Sequence, residues 1–168
     1  FLNGEIILID KPLGWTSFQV VNKIRWLIRS TYGIKKIKVG HAGTLDPLAS
    51  GLLILCTGKM TKSIEQFMGQ EKEYTGTFTL GATTPSYDLE TEIDHTFPTD
   101  HITEELLQTT LDQFVGTIDQ YPPVFSALKK DGKRLYEFAR EGVEVEIPTR
   151  KVNIRSFELT QKAIPKVD

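Results

Sequence analysis

One aspartate in this 168-residue chain stands where a carboxylate could do chemistry. In "GHAGTLDPLASG", residues 40–51, Asp46 lies between Leu45 and Pro47, five residues after His41 and among three glycines. An aspartate of ordinary acidity is ionised at neutral pH, so it can attack an electrophilic carbon or stabilise developing charge without special activation. The plainer alternative is structural: Asp followed by Pro is an ordinary helix opening, with Asp as the cap and Pro at the first helical position. The dipeptide alone favours the cap, and the surroundings shift the balance. Pro47 pushes Asp46 toward extended backbone, which fixes the direction of its carboxylate. Gly40, Gly43 and Gly51 permit positive dihedrals or a close approach to a ligand. Taken alone, His41 reads as a solvent-exposed turn residue, and Tyr74, in "KEYTG", as a strand aromatic packed into the core.

Other chemistries fit less well. The glycines of 40–51 lack both the Lys-Ser/Thr ending of a phosphate-binding loop and the dinucleotide spacing. His41, His95 and His101 are far apart in sequence and Cys56 is the only cysteine, which argues against a metal cage and excludes an intramolecular disulfide. No serine occupies a nucleophile elbow. Phosphate cradling and a histidine-rich metal site are therefore set aside.

Several elements must hold this loop. "EIILID" alternates too little for an exposed strand and suits a central, buried one, which "KPLG" then stops. "TSFQVVNKIRWLIRSTYG" predicts a helix capped by Thr16 or Ser17, with Val20, Ile24, Leu27 and Ile28 on one face and Gly33 past its end. "IKKIKVG" reads as a short basic strand or loop, and "GLLILCTG" as a buried strand. "KMTKSIEQFMG" reads as a second short helix and "KEYTGTFTLG" as a strand. Residues 82–102 are acidic and Thr-rich and read as a long loop. "TEELLQTTLDQFVG" predicts a helix opening at Thr103, "TRKVNIRSFELTQ" a final strand, and "KAIPKVD" a tail without cap or turn. The irregular mixture predicts an α/β (α+β) fold, a mixed and mainly antiparallel sheet with flanking helices.

With 39% apolar residues, the length suits one core. No apolar run approaches the roughly 20 residues of a membrane span, and no signal peptide is legible, so a soluble, cytoplasmic protein is expected. The formal net charge of -2 conceals a strong division. Residues 1–72 hold ten Lys/Arg against five Asp/Glu, 73–128 hold ten Asp/Glu and no Lys/Arg, and 129–168 hold ten Lys/Arg against seven Asp/Glu. Local fields of +5 and +3, and not the net value, decide whether a polyanion is attracted. Charge alone favours the plainer reading, ordinary solvated faces.

Taken together, "LIDKPLGWTS" at 8–17, "GHAGTLDPLASGLL", "KEYTGTFTLGATTPSYD" at 72–88 and "YPPVFSALKKDGKRLYEFAREGVEVE" at 121–146 resemble the TruB family of tRNA pseudouridine-55 synthases. The resemblance runs through nearly the whole chain in order. It implies a pseudouridine synthase fold that isomerises uridine to pseudouridine in the T-arm loop of tRNA, acting as a monomer without cofactor or metal. It assigns Asp46 as the catalytic aspartate, His41 as the residue that fills the space left by the flipped base, and Tyr74 as the aromatic stacked on that base. Flipping costs about a few kcal/mol, and stacking on an aromatic returns roughly 1–3 kcal/mol. The segment 115–150 is similar to the family's RNA-gripping thumb, with Lys129, Lys130, Lys133 and Arg134 as phosphate contacts. Lys35, Lys36 and Lys38 form a second basic cluster, and Asp88 matches by spacing an acidic loop position of the family.

The chain departs from the family in one respect. A later Gly-Thr-Tyr-Ile-Arg run, whose arginine pairs with the catalytic aspartate, has no counterpart here, so residues 1–168 are expected to be a C-terminally incomplete catalytic domain, weak or inactive by itself. Two other readings stay open. A non-catalytic tRNA-binding or RNA-folding module would keep the scaffold and the thumb. A nucleoside or glycoside hydrolase ordinarily needs two carboxylates flanking the bond, and this loop offers one.

Overall fold

The computed structural model describes residues 1–122, 129–130, 133–134, 147 and 149–168, with backbone alone at 129–130, 133–134 and 162. It falls into two compact units, Phe1–Glu73 and Tyr74–Asp168. The class is the expected mixture of helices with antiparallel sheets.

The first unit is organised by an antiparallel sheet of three strands in the order β1 (Ile6–Lys11), β3 (Gly51–Thr57), β2 (Val39–His41). "GLLILCT" takes the middle because it has apolar residues for both faces. Leu53 and Leu55 are fully buried on one face, whereas the other face is closed at Cys56 and open at Leu52, which is 63% exposed. The Leu53 and Leu55 face carries the core, where Val20, Val21 and Ile28 of helix α1 (Ser17–Tyr32) meet those leucines, Ile37 and Val39. The cap of α1 is Thr16: its hydroxyl accepts from the Gln19 N–H while the Gln19 side chain accepts from the Thr16 N–H. That reciprocal pair is worth about 1 kcal/mol. Gly33, at φ 63°, ends the helix as expected. The buried stripe includes Val21 in place of Leu27, which is 40% exposed.

β1 corrects one expectation, for it lies at the edge of this sheet. Ile7 and Ile9 pack on the core, while Ile6 and Leu8 on the other face remain exposed. In "IKKIKV" the same alternation buries Ile37 and Val39 and turns Lys36 and Lys38 outward. After β3 come a 3-10 helix (Gly58–Ser63) and α2 (Ile64–Met68), so only the second half of the expected helix is α-helical.

The second unit is a set of short antiparallel pairings with one helix. β4 (Phe78–Thr79) pairs with β12 (Lys166–Val167), and β12 with β11 (Lys162–Ala163). The tail therefore forms a hairpin, contrary to the expectation of a tail without cap or turn. β4 is shorter than expected from "KEYTGTFTLG" because β12 offers it only two residues of ladder. Within the acidic 82–102 segment, β5 (Ala82–Thr83) and β6 (His95–Thr96) pair where a plain loop was expected. Helix α3 (Glu104–Asp112) opens on the Thr103 hydroxyl, which accepts from the Leu106 N–H. Phe157 packs against Phe78 and Phe114, with ring centroids 6.3 and 6.2 Å away.

β7 (Gly116–Gln120) pairs with β10 (Arg150–Ile154) in the register Gln120 to Arg150, tightened by a 2.6 Å bond from Arg150 Nε to Gln120 Oε1. The intervening 121–149 segment thus leaves and returns at neighbouring positions. Within it, β8 (Lys129–Lys130) and β9 (Lys133–Arg134) pair antiparallel. The rest of the expected thumb lies mostly outside the described residues. Among the described residues, no helix is long and apolar enough to cross a membrane.

Candidate active site

Asp46 belongs to the 42–50 connection between β2 and β3, and no helix follows it. The Asp46 carbonyl accepts from the Ala49 N–H at 3.0 Å, which closes a β-turn with Pro47 at its second position. A helix-capping role is therefore excluded by the backbone. The residue is exposed, and among the described residues its carboxylate has no hydrogen-bond or ion-pair partner. What is fixed is the backbone on both sides of it. The Ser17 hydroxyl accepts from the Leu45 N–H at 2.9 Å and donates to the Leu45 carbonyl at 3.1 Å. The Gly14 N–H donates to the Pro47 carbonyl at 2.7 Å. The Leu45 side chain packs against the core of the unit.

The sheet explains why these segments meet. Lys11, the last residue of β1, is the cross-strand partner of Gly51, the first of β3. The 12–16 turn and the 42–50 connection therefore emerge from the same end of the sheet. Lys11 is fully buried, and its ammonium donates to the Pro12 carbonyl at 3.1 Å and the Trp15 carbonyl at 2.6 Å, which stiffens the turn that carries Gly14. Gly14 sits at φ +80°, where a side chain is strained. In the connection itself, Gly43 and Gly51 take φ +108° and +124°, as anticipated, while Gly40 approaches Ile64 closely.

His41 ends β2 and is half-buried. Its Nδ1 is hydrogen-bonded to the Gly43 carbonyl, which can only accept, so Nδ1 carries the proton. The ring is thereby tied to the connection that bears Asp46. Tyr74 opens the second unit, outside any strand and 76% exposed, so it is not the core aromatic its sequence context suggested. Lys35, Lys36 and Lys38 are exposed on the first unit. Lys129, Lys130, Lys133 and Arg134 lie on the β8–β9 pair. Asp88 acts locally, where its Oδ1 accepts from the Ser86 hydroxyl at 2.6 Å and the Glu90 N–H at 2.9 Å and so closes a turn. Among the described residues no group of three or more His, Cys, Asp or Glu could hold a metal ion.

Sequence reasoning passed over Ser17, Gly14 and Lys11 as functional residues. One signal was present. Gln19 stands three residues after Thr16, which gives the cap to Thr16 and leaves the adjacent Ser17 hydroxyl for another partner.

Comparison with known proteins gives these features a setting. The profile described as TruB family pseudouridylate synthase (N terminal domain) matches residues 29–168. The tRNA pseudouridine synthase B of Flavobacterium johnsoniae is 62% identical over 169 residues, covering all of this chain and 74% of that protein. The enzyme of the same name from Phocaeicola vulgatus is 58% identical, covering 99% of this chain and 71% of that protein. Among solved structures, a chain in the crystal structure of a Cbf5-Nop10-Gar1 complex superposes with a TM-score of 0.64 at 25% identity, over 96% of this chain and 37% of that one. By fold and by sequence, the chain belongs to the TruB family of pseudouridylate synthases.

Proposed function

We propose that this chain is the catalytic domain of a tRNA pseudouridine synthase acting on uridine 55 in the T-loop, with Asp46 as the nucleophile. The observation that carries the reading is the exposed Asp46 carboxylate on a backbone fixed at both neighbouring residues. The isomerisation breaks the bond from N1 to C1′ and forms one from C5 to C1′; the C5 proton leaves and N1 gains a proton. Asp46 supplies the electron pair that carries the detached fragment, by attack on the sugar or on the base. The target base must first leave its stack, at about a few kcal/mol. His41 fills the gap it leaves and Tyr74 stacks on it, returning roughly 1–3 kcal/mol. The β8–β9 cations, in a thumb formed by 115–150, grip the T-arm backbone. The enzyme works in the cytoplasm, as a monomer, without cofactor.

Among the described residues the Asp46 carboxylate has no cationic partner. The same observation favours a second reading, a tRNA-binding or RNA-folding module without catalysis. Tritium release from C5-labelled uridine in a T-arm RNA separates them. We expect Asp46→Ala to abolish release while RNA affinity stays within about threefold; release that persists in the variant refutes the assignment. No release from the parent chain, together with Asp46→Ala cells that behave like wild type while Lys133 and Arg134 charge reversals do not, would establish the binding module.

A further inference from the structure

The 12–17 segment touches the reactive loop at two points, and the two points bracket one residue. Ser17 is 2% exposed, so its hydroxyl is hidden from water, and both its hydrogen bonds go to Leu45. A single hydroxyl that holds the N–H and the carbonyl of the same residue fixes that peptide in position and in rotation. On the other side, Gly14 holds the Pro47 carbonyl. Leu45 packs on the core, and Lys11 ties down the turn that carries Gly14. Asp46 thus presents an exposed carboxylate on a backbone held at both neighbouring residues.

The geometry points to Ser17 as a positioning residue for Asp46, acting through Leu45, with Gly14 as the opposing anchor. This rests on the reading of Asp46 as the nucleophile. A nucleophile must sit within a few tenths of an ångström of its attack line, and misplacement by about 1 Å costs on the order of 10²-fold in rate. Ser17 takes no part in binding RNA under this assignment, so its loss lowers the rate of the chemical step and leaves affinity alone.

The test uses Ser17→Ala, Ser17→Thr and Asp46→Ala in the 168-residue chain, with a T-arm stem-loop RNA tritiated at C5 of its uridines. Single-turnover release, with protein in excess, reads slow chemistry; RNA affinity is measured in parallel. Amide hydrogen exchange at Leu45, against the β3 amides and the other loop amides, reads the clamp without any need for activity. We expect Ser17→Ala to slow release on the order of 10²-fold, to leave the RNA dissociation constant within twofold, and to accelerate exchange at Leu45 selectively. Ser17→Thr, which keeps the hydroxyl, recovers most of both. Release by Ser17→Ala at the parental rate, with Asp46→Ala dead, overturns the positioning role while leaving the nucleophile in place. Release that persists in Asp46→Ala removes the nucleophile assignment and this inference with it. If the parent shows no release, Leu45 exchange decides the matter: acceleration in Ser17→Ala supports the clamp, and unchanged exchange overturns it.

Discussion

Truncation of successive β3 leucines gives a direct measure of how this sheet is covered. Leu55 is fully buried and Leu52 is 63% exposed, three residues away on the opposite face. Leu55→Ala removes the transfer free energy of a buried side chain and leaves a cavity that α1 and β2 cannot close fully. The expected cost is about 3–4 kcal/mol. Leu52 has little more than a third of its surface to lose, so Leu52→Ala forfeits about a third of the ~2 kcal/mol for burying a leucine, near 0.7 kcal/mol. With a urea m-value of about 2 kcal/mol per M, the midpoint falls by about 1.5–2 M in the first case and about 0.3 M in the second. Trp15 and Trp26 are the only tryptophans and both lie in the Phe1–Glu73 unit, so their fluorescence reports on this unit. Equal costs at Leu52 and Leu55 would refute the reasoning, for they would mean that the sheet is covered on both faces.

Three further perturbations test separate parts of the structure. Gly51→Ala, at φ +124° with open space around the new methyl, isolates backbone strain and should cost about 1–3 kcal/mol, whereas Gly69→Ala, at ordinary φ and ordinary contact distances, should fall within about 0.5 kcal/mol; urea midpoints compare them. Lys133→Glu with Arg134→Glu should weaken binding of T-arm RNA and flatten its salt dependence by about 0.7–0.9 in log–log slope for each phosphate that is no longer neutralised, measured by titrating RNA at several salt concentrations. Burial pushes the Cys56 thiol above its ordinary value of 9.0, so its ionisation is disfavoured in the folded state. The stabilising term is complete below that value and is lost as pH rises through the folded pKa, so between pH 8 and 10 the parent should lose more stability than Cys56→Ala.

Signals in the sequence are legible where their causes are local. Thr16 and Gly33 delimit α1 because caps act within one turn, and "GLLILCT" announces a core strand because its apolar run is continuous. Long-range pairing is less legible. "EIILID" has the composition of a central strand, yet only its Ile7 and Ile9 face the core. The β5–β6 and β11–β12 pairs are two residues long, too short for any period to register. For the site, residue types single out Asp46, while the contacts that hold it link positions 28 apart for Ser17 and Leu45. No periodicity within one segment encodes such a contact. The Asp-Pro dipeptide misleads in the other direction, since it opens a β-turn here and not a helix.

The pairing of Gln120 with Arg150 has a consequence for how this fold can vary. A segment whose two ends are already clasped at one strand spacing can gain or lose residues without stretching either strand. For a flexible insertion the closure entropy grows only as the logarithm of length, about 0.6 kcal/mol per doubling. The base of the 121–149 segment is therefore a position where a longer arm, a tag or an exchanged RNA-contacting module can be grafted at small thermodynamic cost, with β7 and β10 serving as the socket.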